Sequence, residues 1–472
     1  MKKTILLFAI IILASCKGET KKQSENVLIN SLAKVADSIT YLMKEYHYNP
    51  NELLSDNYIA IDKRTHELAS KVNSKDLFVE EFNKLWSNGP FSHVSLSISD
   101  KKASEMAIFF DSLRVGSQSV SLEWKDKTAI LTVNTMMGLD TYERIFEVYQ
   151  EVSEVNASSL IIDLRDNPGG TFAIVPLVSH LLDNPIDAGM FVSHKWWRNN
   201  NNAPSFSDTK KLTPWQGWSL QSFWRDVQLS PLTRIQFQPM QPKFNGRVFV
   251  LTSHESASAT EFAVDALAQL DNVIIIGETT AGEMLSQKMF DLPHGLQLSL
   301  PIAEYYSSRI GRIEGKGVKP NIEIDQSVAL DLAISLIKGE KLEDALEKAQ
   351  EEITKMDEQP LGAETLYLFG NMNDWGKKWD KTPLFEYKGN GVYEATTKLN
   401  KGRYEFKIAP MNWNFDYGAI KNQENVVVGH KKSLAKTSGS GNLIIDIEDA
   451  IELTFSLDVS NEKALVLSVS KK

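Results

Sequence analysis

The sequence predicts a multidomain chain with an N-terminal helical region, an α/β core and a C-terminal all-β sandwich. Its 472 residues exceed what one hydrophobic core holds, because a domain usually contains roughly 100–200 residues. In the middle of the chain, apolar runs rich in β-branched residues alternate with helical stretches, which is typical of a parallel sheet covered by helices. After Gln359 and Pro360, short alternating runs separated by Gly and Asn turns predict the sandwich.

Composition argues against several kinds of partner. A net charge of −10 without a basic stripe disfavours a nucleic-acid partner. The single cysteine, Cys16, rules out an internal disulfide and a cysteine-rich metal site. No metal and no other cofactor is expected.

The N-terminus predicts export and a lipid anchor. Two lysines precede an apolar run that is too short to span a bilayer, as in a signal peptide. The stretch LASC, which ends at Cys16, resembles the bacterial lipoprotein cleavage box. This resemblance implies removal of residues 1–15, acylation of Cys16, a tether over residues 16–26, and a location in the cell envelope on a membrane. A plain secretory peptide cut near Ala14 is the alternative.

Periodicity assigns the remaining elements in order. The runs LAKVADSITYLMKEY and KDLFVEEFNKLW repeat apolar residues every three or four positions and predict helices. TAILTV, SLIIDL, RVFVLT and NVIIIG predict buried strands, while DTYERIFEVYQEVSEV and SATEFAVDALAQL predict two covering helices. The predicted parts are the helical region at 27–105, the core at 106–338, a helical linker at 339–360 and the sandwich at 361–472.

An aromatic insertion, residues 190–245, interrupts the predicted core. Its tryptophans are Trp196, Trp197, Trp215, Trp218 and Trp224. Such a group can line a substrate groove or only pack the insertion onto the core, and the sequence leaves both interpretations open.

Two strand ends carry residues suited to nucleophilic catalysis. SLIIDLRDNPGG runs from a strand into a turn at which the N–H of Gly169 or Gly170 could donate to an oxyanion. SHESASATEF follows another strand and opens a helix, so that Ser258 lies where free N–H groups favour negative charge. The N–H of Ala259 is the natural second donor. The alternative is that Ser258 only caps the helix.

Four motifs in this order resemble the tail-specific, or C-terminal-processing, serine peptidases: SLIIDLRDNPGG, VLTSHESASATEFAVDAL, VIIIGETTAG and EGKGVKPNIEI. The resemblance covers roughly residues 30–340. It implies a crotonase-like (ClpP-like) core, a peptide or unfolded protein as substrate, and an acyl-enzyme mechanism with Ser258 as nucleophile. One branch of that family uses a lysine at the position of Glu283, so a Ser/Lys pair is absent here.

The other branch, which resembles the tricorn core and the interphotoreceptor-retinoid-binding-protein-like peptidases, uses a histidine. The matching FSHVSLSI implies His93 as base and Ser92 as relay, and EGKGVKP implies Glu314 as the group that orients them. An imidazole can accept a serine proton near neutrality, and a contact of about 3 Å between base and nucleophile is expected. The nearby His254 is not expected to be the base.

The C-terminal region resembles the starch- and glycogen-binding modules of pullulanases over residues 362–470, through LYLFGNMNDWGKKW and GVYEATTKLNKGRYEFKIAPMNWNFDYGA. This implies an alpha-glucan ligand, with Trp375 and Trp413 stacking on sugar rings and Lys407 bonding a hydroxyl. An immunoglobulin-like sandwich that binds no sugar is the alternative. Two rival functions remain: a peptide-binding protein on an inactive peptidase scaffold, and a glycan-binding accessory lipoprotein.

Overall fold

The computed structural model describes residues 31–357 and 359–472, and the chain divides between Ala329 and Leu330 into two compact units. The predicted signal peptide, the tether and Cys16 lie outside the described residues. No helix in the described part of the chain is both long enough and apolar enough to cross a membrane.

The first unit begins with the predicted helical region. Its helices are α1 (residues 31–46), α2 (Asp56–Lys71), α3 (Lys75–Trp86) and α4 (Ala103–Ser112). The side chains of Ser55 and Ser74 cap α2 and α3 by accepting hydrogen bonds from backbone N–H groups. The prediction of helices before the α/β core is confirmed.

The rest of the unit alternates strands and helices. Strand β1 (Ser95–Ile98) precedes α4. The later strands are β2 (Val120–Lys125), β3 (Thr128–Val133), β4 (Ser159–Asp163), β5 (Ile186–Ser193), β6 (Leu232–Phe237), β7 (Arg247–Thr252), β8 (Val273–Gly277), β9 (Leu285–Leu292), β10 (Leu296–Ser307), β11 (Gly311–Arg312) and β12 (Ile322–Glu323). The helices are α5 (Leu139–Glu154), α6 (Ile174–Ser179), α7 (His194–Trp197), α8 (Leu220–Asp226) and α9 (Ala259–Leu267), and α10 (Gln326–Ile337) and α11 (Leu342–Asp357) follow.

One sheet has the order β12-β8-β7-β4-β3-β2 and is parallel except for β2. Its central strands are buried on both faces, which explains their continuous apolar sequences. The α/β core is therefore confirmed. Because parallel strands share a direction, the turns after β4 and β7 meet at one edge, where α/β proteins commonly bind ligands.

A second, antiparallel sheet was not anticipated from the sequence. It has the order β1-β10-β5-β6, with β9 and β11 also paired to β10. Strand β1 follows the SHV motif directly and pairs with the start of β10 through Ser95–Ser299. This pairing anchors the predicted base to the core, although it comes from the N-terminal region.

The second unit is a sandwich of two sheets, as predicted. Its strands are β13 (Tyr367–Gly370), β14 (Glu386–Gly389), β15 (Val392–Leu399), β16 (Gly402–Ala409), β17 (Asp416–Gly418), β18 (Gln423–Asn425), β19 (Lys431–Ser433), β20 (Ala435–Thr437), β21 (Asn442–Ile447), β22 (Ile451–Asp458) and β23 (Val466–Lys471). The sheets have the orders β18-β21-β16-β17-β20, with β13 on β16, and β14-β15-β22-β23-β19. Phe406 of one sheet packs edge-to-face on Phe455 of the other, with ring centroids 5.3 Å apart.

Candidate active site

The turns after β4 and β7 are bonded to each other. The Ser256 hydroxyl donates to the carbonyl of Leu164 at 2.8 Å, and the N–H of Ala257 donates to the carbonyl of Asn167 at 3.1 Å. Ser256 is fully buried and is committed to this contact. The two turns therefore form one unit, and they present Ser258 immediately before α9.

Ser258 has an unusual backbone conformation for a residue with a side chain. Its φ is +55° and its ψ is −119°, in a sharp turn between a strand and a helix. Its hydroxyl makes no cap hydrogen bond, while its N–H donates to the Glu261 carboxylate as in a capping box, so Ser258 marks the start of α9 and the capping alternative stays open. Strained backbone of this kind occurs at functional sites, where it exposes a nucleophile.

Glu261 fixes this turn and was missed by the sequence analysis. Its buried carboxylate accepts hydrogen bonds from the N–H of Ser258 at 3.1 Å and from the Thr280 hydroxyl at 2.6 Å. It also accepts from the N–H groups of Gly282 and Glu283, at 2.7 and 2.8 Å. Burial raises the pKa of this carboxyl, while the four donors oppose the shift. The spacing S-x-x-E, typical of a capping box, was the available signal.

The hydrogen bonds of the glycine turn distinguish between its two candidate oxyanion donors, Gly169 and Gly170. The N–H of Gly169 donates to the Asn167 side chain at 2.9 Å and is therefore already used. Within the described residues, the N–H groups of Gly170 and Ala259 have no protein partner. A Cβ on Gly169, whose φ is +96°, would lie 2.8 Å from the Ser258 Cβ and 3.0 Å from the Ala259 nitrogen. Gly169 thus allows a close approach, whereas Gly170 has the free amide.

His93, Ser92 and Glu314 form a continuous hydrogen-bonded chain. The Ser92 Oγ lies 2.8 Å from His93 Nδ1 and 2.9 Å from Glu314 Oε1. The Ser92 hydroxyl has one proton and donates it to the carboxylate, so it must accept from Nδ1–H. In the neutral imidazole this leaves Nε2 without a proton, which is the tautomer a general base needs.

Burial shifts the pKa values at both ends of this chain. It lowers the pKa of His93 to about 4, because the partly buried ring loses hydration when charged. Burial also raises the pKa of Glu314 to about 7, against hydrogen bonds from Ser92 and from the N–H of Met284. His93 is therefore neutral at neutral pH, and Glu314 titrates there.

The loop that carries His93 is held from two sides. Phe91 packs on His47 with ring centroids 4.2 Å apart. Asn83 of α3 exchanges two hydrogen bonds with the backbone of Leu96 in β1, at 2.8 and 2.9 Å. His93 itself has a φ of +62°, so its ring direction is imposed by these contacts.

Ser258 and His93 line the same cavity, which has a volume of about 360 Å³ and also includes Gly169, Gly170 and Ala259. Within the described residues no hydrogen bond joins the Ser258 hydroxyl to the His93 ring; such bonds often tighten only when substrate binds. His254 does not line this cavity. Its side chain is 74% exposed and lies 3.7 Å from Glu278.

The tryptophans of the aromatic insertion are divided between the cavity and the packing around it. Trp215 and Trp218 pack behind the cavity on Phe172, with ring centroids 5.8 and 5.9 Å away. Trp196 and Trp197 belong to a separate cluster around β5. Trp224 lines the cavity.

In the sandwich, the predicted sugar-binding tryptophans lie together at the surface. Trp375 and Trp413 are 37% and 36% exposed, and their ring centroids are 6.3 Å apart. Both have a positive φ, 55° and 54°, and Phe369 stacks on Trp413 at 4.8 Å. Lys407 Nζ lies 3.4 Å from the Asp416 carboxylate. No cluster of three or more His, Cys, Asp or Glu suited to a metal occurs among residues 31–357 and 359–472.

An α/β core that exposes a serine at the start of a helix, beside amides without partners, is an arrangement typical of serine peptidases. Residues 127–324 match the model of peptidase family S41, and residues 364–442 match the pullulanase X25 domain. The α/β core of this chain is thus similar to peptidase family S41, and a region similar to the X25 domain follows it along the chain. The predicted family and both domain types are confirmed, and the histidine branch stays a prediction.

Relatives share only part of their length with this chain. Carboxy-terminal processing protease CtpA of Bacillus subtilis is 24% identical over 208 residues, which cover 44% of this chain and 37% of that protein. The carboxyl-terminal-processing protease of Synechocystis sp. is 22% identical over 192 residues, 41% of this chain and 37% of that protein. The chain thus spans little more than a third of either relative.

Solved structures give weaker similarities. A lipoprotein from Streptococcus agalactiae is 16% identical with a TM-score of 0.42, and the match covers 66% of this chain and 97% of the lipoprotein chain. The photosystem II D1 C-terminal processing protease is 13% identical with a TM-score of 0.40, and covers 63% of this chain and 94% of its own.

Proposed function

We propose that this chain is a serine peptidase in which Ser258 is the nucleophile and His93 the general base. One observation carries the proposal. The hydrogen-bonded chain Glu314–Ser92–His93 leaves Nε2 of the imidazole without a proton, and His93 and Ser258 line the same cavity. The match of residues 127–324 to peptidase family S41 supports the same activity.

The reaction proceeds through an acyl-enzyme. Ser258 Oγ attacks the peptide carbonyl carbon while His93 Nε2 takes the hydroxyl proton. The C–N bond then breaks, and the imidazolium returns that proton to the leaving amine. Water attacks the ester, His93 accepts its proton, and Ser258 is released with its hydroxyl restored. Through Ser92, the Glu314 carboxylate stabilises the imidazolium formed in each half of the reaction.

The oxyanion is bound by two backbone amides. The N–H groups of Ala259 and Gly170 are the donors, because Gly169 already donates to Asn167. Removing one such donor usually lowers kcat by roughly 10²–10³. Donors fixed by the backbone need no reorganisation as charge develops on the carbonyl oxygen.

The test is hydrolysis of an unfolded protein, such as reduced casein, together with labelling by a fluorophosphonate probe. Ser258→Ala should lose labelling and lower kcat by roughly 10³–10⁶. His93→Ala should have a similar effect, while the matched control His254→Ala keeps wild-type rates. If the wild-type chain neither hydrolyses casein nor reacts with the probe, the result contradicts the peptidase function and favours the two binding functions, a peptide-binding protein on an inactive scaffold or a glycan-binding accessory lipoprotein.

A second function, alpha-glucan binding by the sandwich, is supported by the exposed pair Trp375 and Trp413. Two indoles held by a strained backbone offer flat apolar faces to sugar rings. Retention on immobilised glycogen should disappear in Trp375→Ala. Trp124, equally exposed at 37% but in the other unit, supplies the control Trp124→Ala. Retention that persists in Trp375→Ala, or is absent in the wild type, contradicts sugar binding at this pair.

The membrane anchor stays a proposal that rests on the sequence around Cys16. Labelled palmitate should enter the wild-type chain in a bacterial host and fail to enter Cys16→Ser. Incorporation by both proteins would contradict acylation at this residue.

A further inference from the structure

We propose that the cavity beside Ser258 is a specificity pocket that selects a large apolar side chain, preferably aromatic, on the acyl side of the scissile bond. This inference rests on the proposed peptidase function and names its substrate class.

Five phenylalanines line the cavity, and four of them, from separate segments, have rings that contact one another. Phe191 of β5 lies 4.8 Å from Phe223 of α8 and 6.1 Å from Phe262 of α9, between ring centroids. Phe172 lies 6.3 Å from Phe223. Rings in these arrangements support one another, and an incoming ring would find edges and faces to pack against.

The walls are preformed because α8 is tied down at both ends. At its start, the N–H groups of Leu220 and Gln221 donate to the two carboxylate oxygens of Asp111 in α4, at 2.7 and 3.0 Å. Near its end, Lys288 Nζ donates to the carbonyl of Trp224 at 3.2 Å. A pocket held in this way needs little ordering when a side chain enters it.

The cavity is large enough for an aromatic ring. Its volume of about 360 Å³ is more than twice that of an apolar cavity of roughly 150 Å³ that accepts benzene. An alanine side chain would leave most of this space unfilled. It would therefore lose the gain from burying apolar surface that a phenylalanine or leucine side chain obtains.

The absence of charged side chains from the lining of the cavity, among the described residues, also bears on which substrate side chains it accepts. Among the described residues that line the cavity there is no Asp, Glu, Lys or Arg, and His93 at its mouth is neutral at neutral pH. A charged substrate side chain would lose hydration here without gaining an ionic partner. The pocket should thus reject acidic and basic residues.

The position of the amides assigns the pocket to the acyl side. Gly170, Ala259 and Ser258 all border the cavity, and in the acyl-enzyme they surround the attacked carbonyl group. The side chain one carbon away from that carbonyl belongs to the acyl residue. The side chain of the acyl residue is therefore closer to the phenylalanine walls than the side chain of the leaving group.

The experiment uses the full chain and internally quenched peptides that differ only in the acyl-side residue: Phe, Ala or Glu. We expect kcat/KM for Phe to exceed that for Ala by on the order of 100-fold, and Glu to be the poorest substrate. Leu220→Trp, which fills a partly exposed position of the wall, should reduce the Phe/Ala ratio at least tenfold. Leu229→Trp, at a 64% exposed position, is the matched control and should keep the ratio.

Fluorophosphonate labelling of Ser258 reports whether each variant has kept its active site. Casein hydrolysis with equal rates for the three peptides overturns the pocket while leaving the peptidase intact. The same holds for a preference that appears only on the leaving-group side, or for a Phe/Ala ratio unchanged in labelled Leu220→Trp. Loss of both casein hydrolysis and labelling in the wild type refutes the peptidase function itself.

Discussion

The pH dependence of hydrolysis is expected to follow the ionisation of Glu314. While this carboxylate is ionised, Ser92 donates to it and accepts from His93 Nδ1–H, which keeps Nε2 basic. A protonated Glu314 can instead donate to Ser92, whose hydroxyl then donates to Nδ1. The ring proton must move to Nε2, and the base facing Ser258 is lost.

The magnitude follows from the pKa of about 7 to which burial raises Glu314. With this pKa, the ionised fraction is about 1% at pH 5 and about 90% at pH 8. Because the pKa is raised, activity should be present above neutrality and lost as the pH falls through 7. We expect kcat/KM to be about 100-fold lower at pH 5 than at pH 8. Protonation of His93 alone, with a pKa of about 4, would leave most of the activity at pH 5.

The assay is the profile of kcat/KM against pH for one peptide substrate, measured for the wild type and for Glu314→Gln. Glutamine can accept from Ser92 but cannot ionise, so its plateau should be lower and its limb near pH 7 should vanish. Glu283→Gln changes an exposed carboxylate and serves as the control with a wild-type profile. The reasoning is refuted by a wild-type limb near pH 4, or by a limb near pH 7 that survives in Glu314→Gln.

Three further predictions concern the surroundings of the nucleophile. Gly169→Ala should lower kcat at least 100-fold in a peptide assay, because its Cβ would press on the Ser258 side chain and on the Ala259 amide; wild-type kcat would contradict this. Glu261→Gln should destabilise the folded unit by about 2 kcal/mol in urea unfolding, because an amide NH₂ would face N–H donors; unchanged stability would show that the carboxylate does not hold the turn. Asp111→Ala should cost about 1 kcal/mol of stability, because the carboxylate that accepts from the first two N–H groups of α8 is lost while the Ser219 cap remains. It should raise KM for aromatic peptides more than for Ala peptides, and equal changes in KM would separate this contact from the pocket.

The sequence predicted the parallel sheet well and the antiparallel sheet poorly. Strands such as β4 are buried on both faces, so their sequences are continuous apolar runs. Strands β6 and β9 are only partly buried and mix polar with apolar residues, as in LTRIQF and LSQKMFDL. The region around β6 is rich in tryptophan and shows no clear two-residue alternation of apolar residues. Its composition therefore predicts an insertion, whereas the structure contains strands there.

The candidate residues of the site could be selected from sequence motifs, but the role of each residue could not be predicted from them. Whether Gly169 or Gly170 has the free amide depends on a hydrogen bond to the Asn167 side chain, which no spacing reveals. The active tautomer of His93 depends on where the single proton of Ser92 points. Such details are set by tertiary contacts between segments that are remote in sequence.

Ser92 and Glu314, which share one hydrogen bond, are separated by 222 positions. A ribosome makes the base and the serine long before it makes this carboxylate and the full length of β10, the strand on which β1 depends. A chain that ends before residue 314 therefore lacks the carboxylate that would orient Ser92 and His93 in the proposed mechanism.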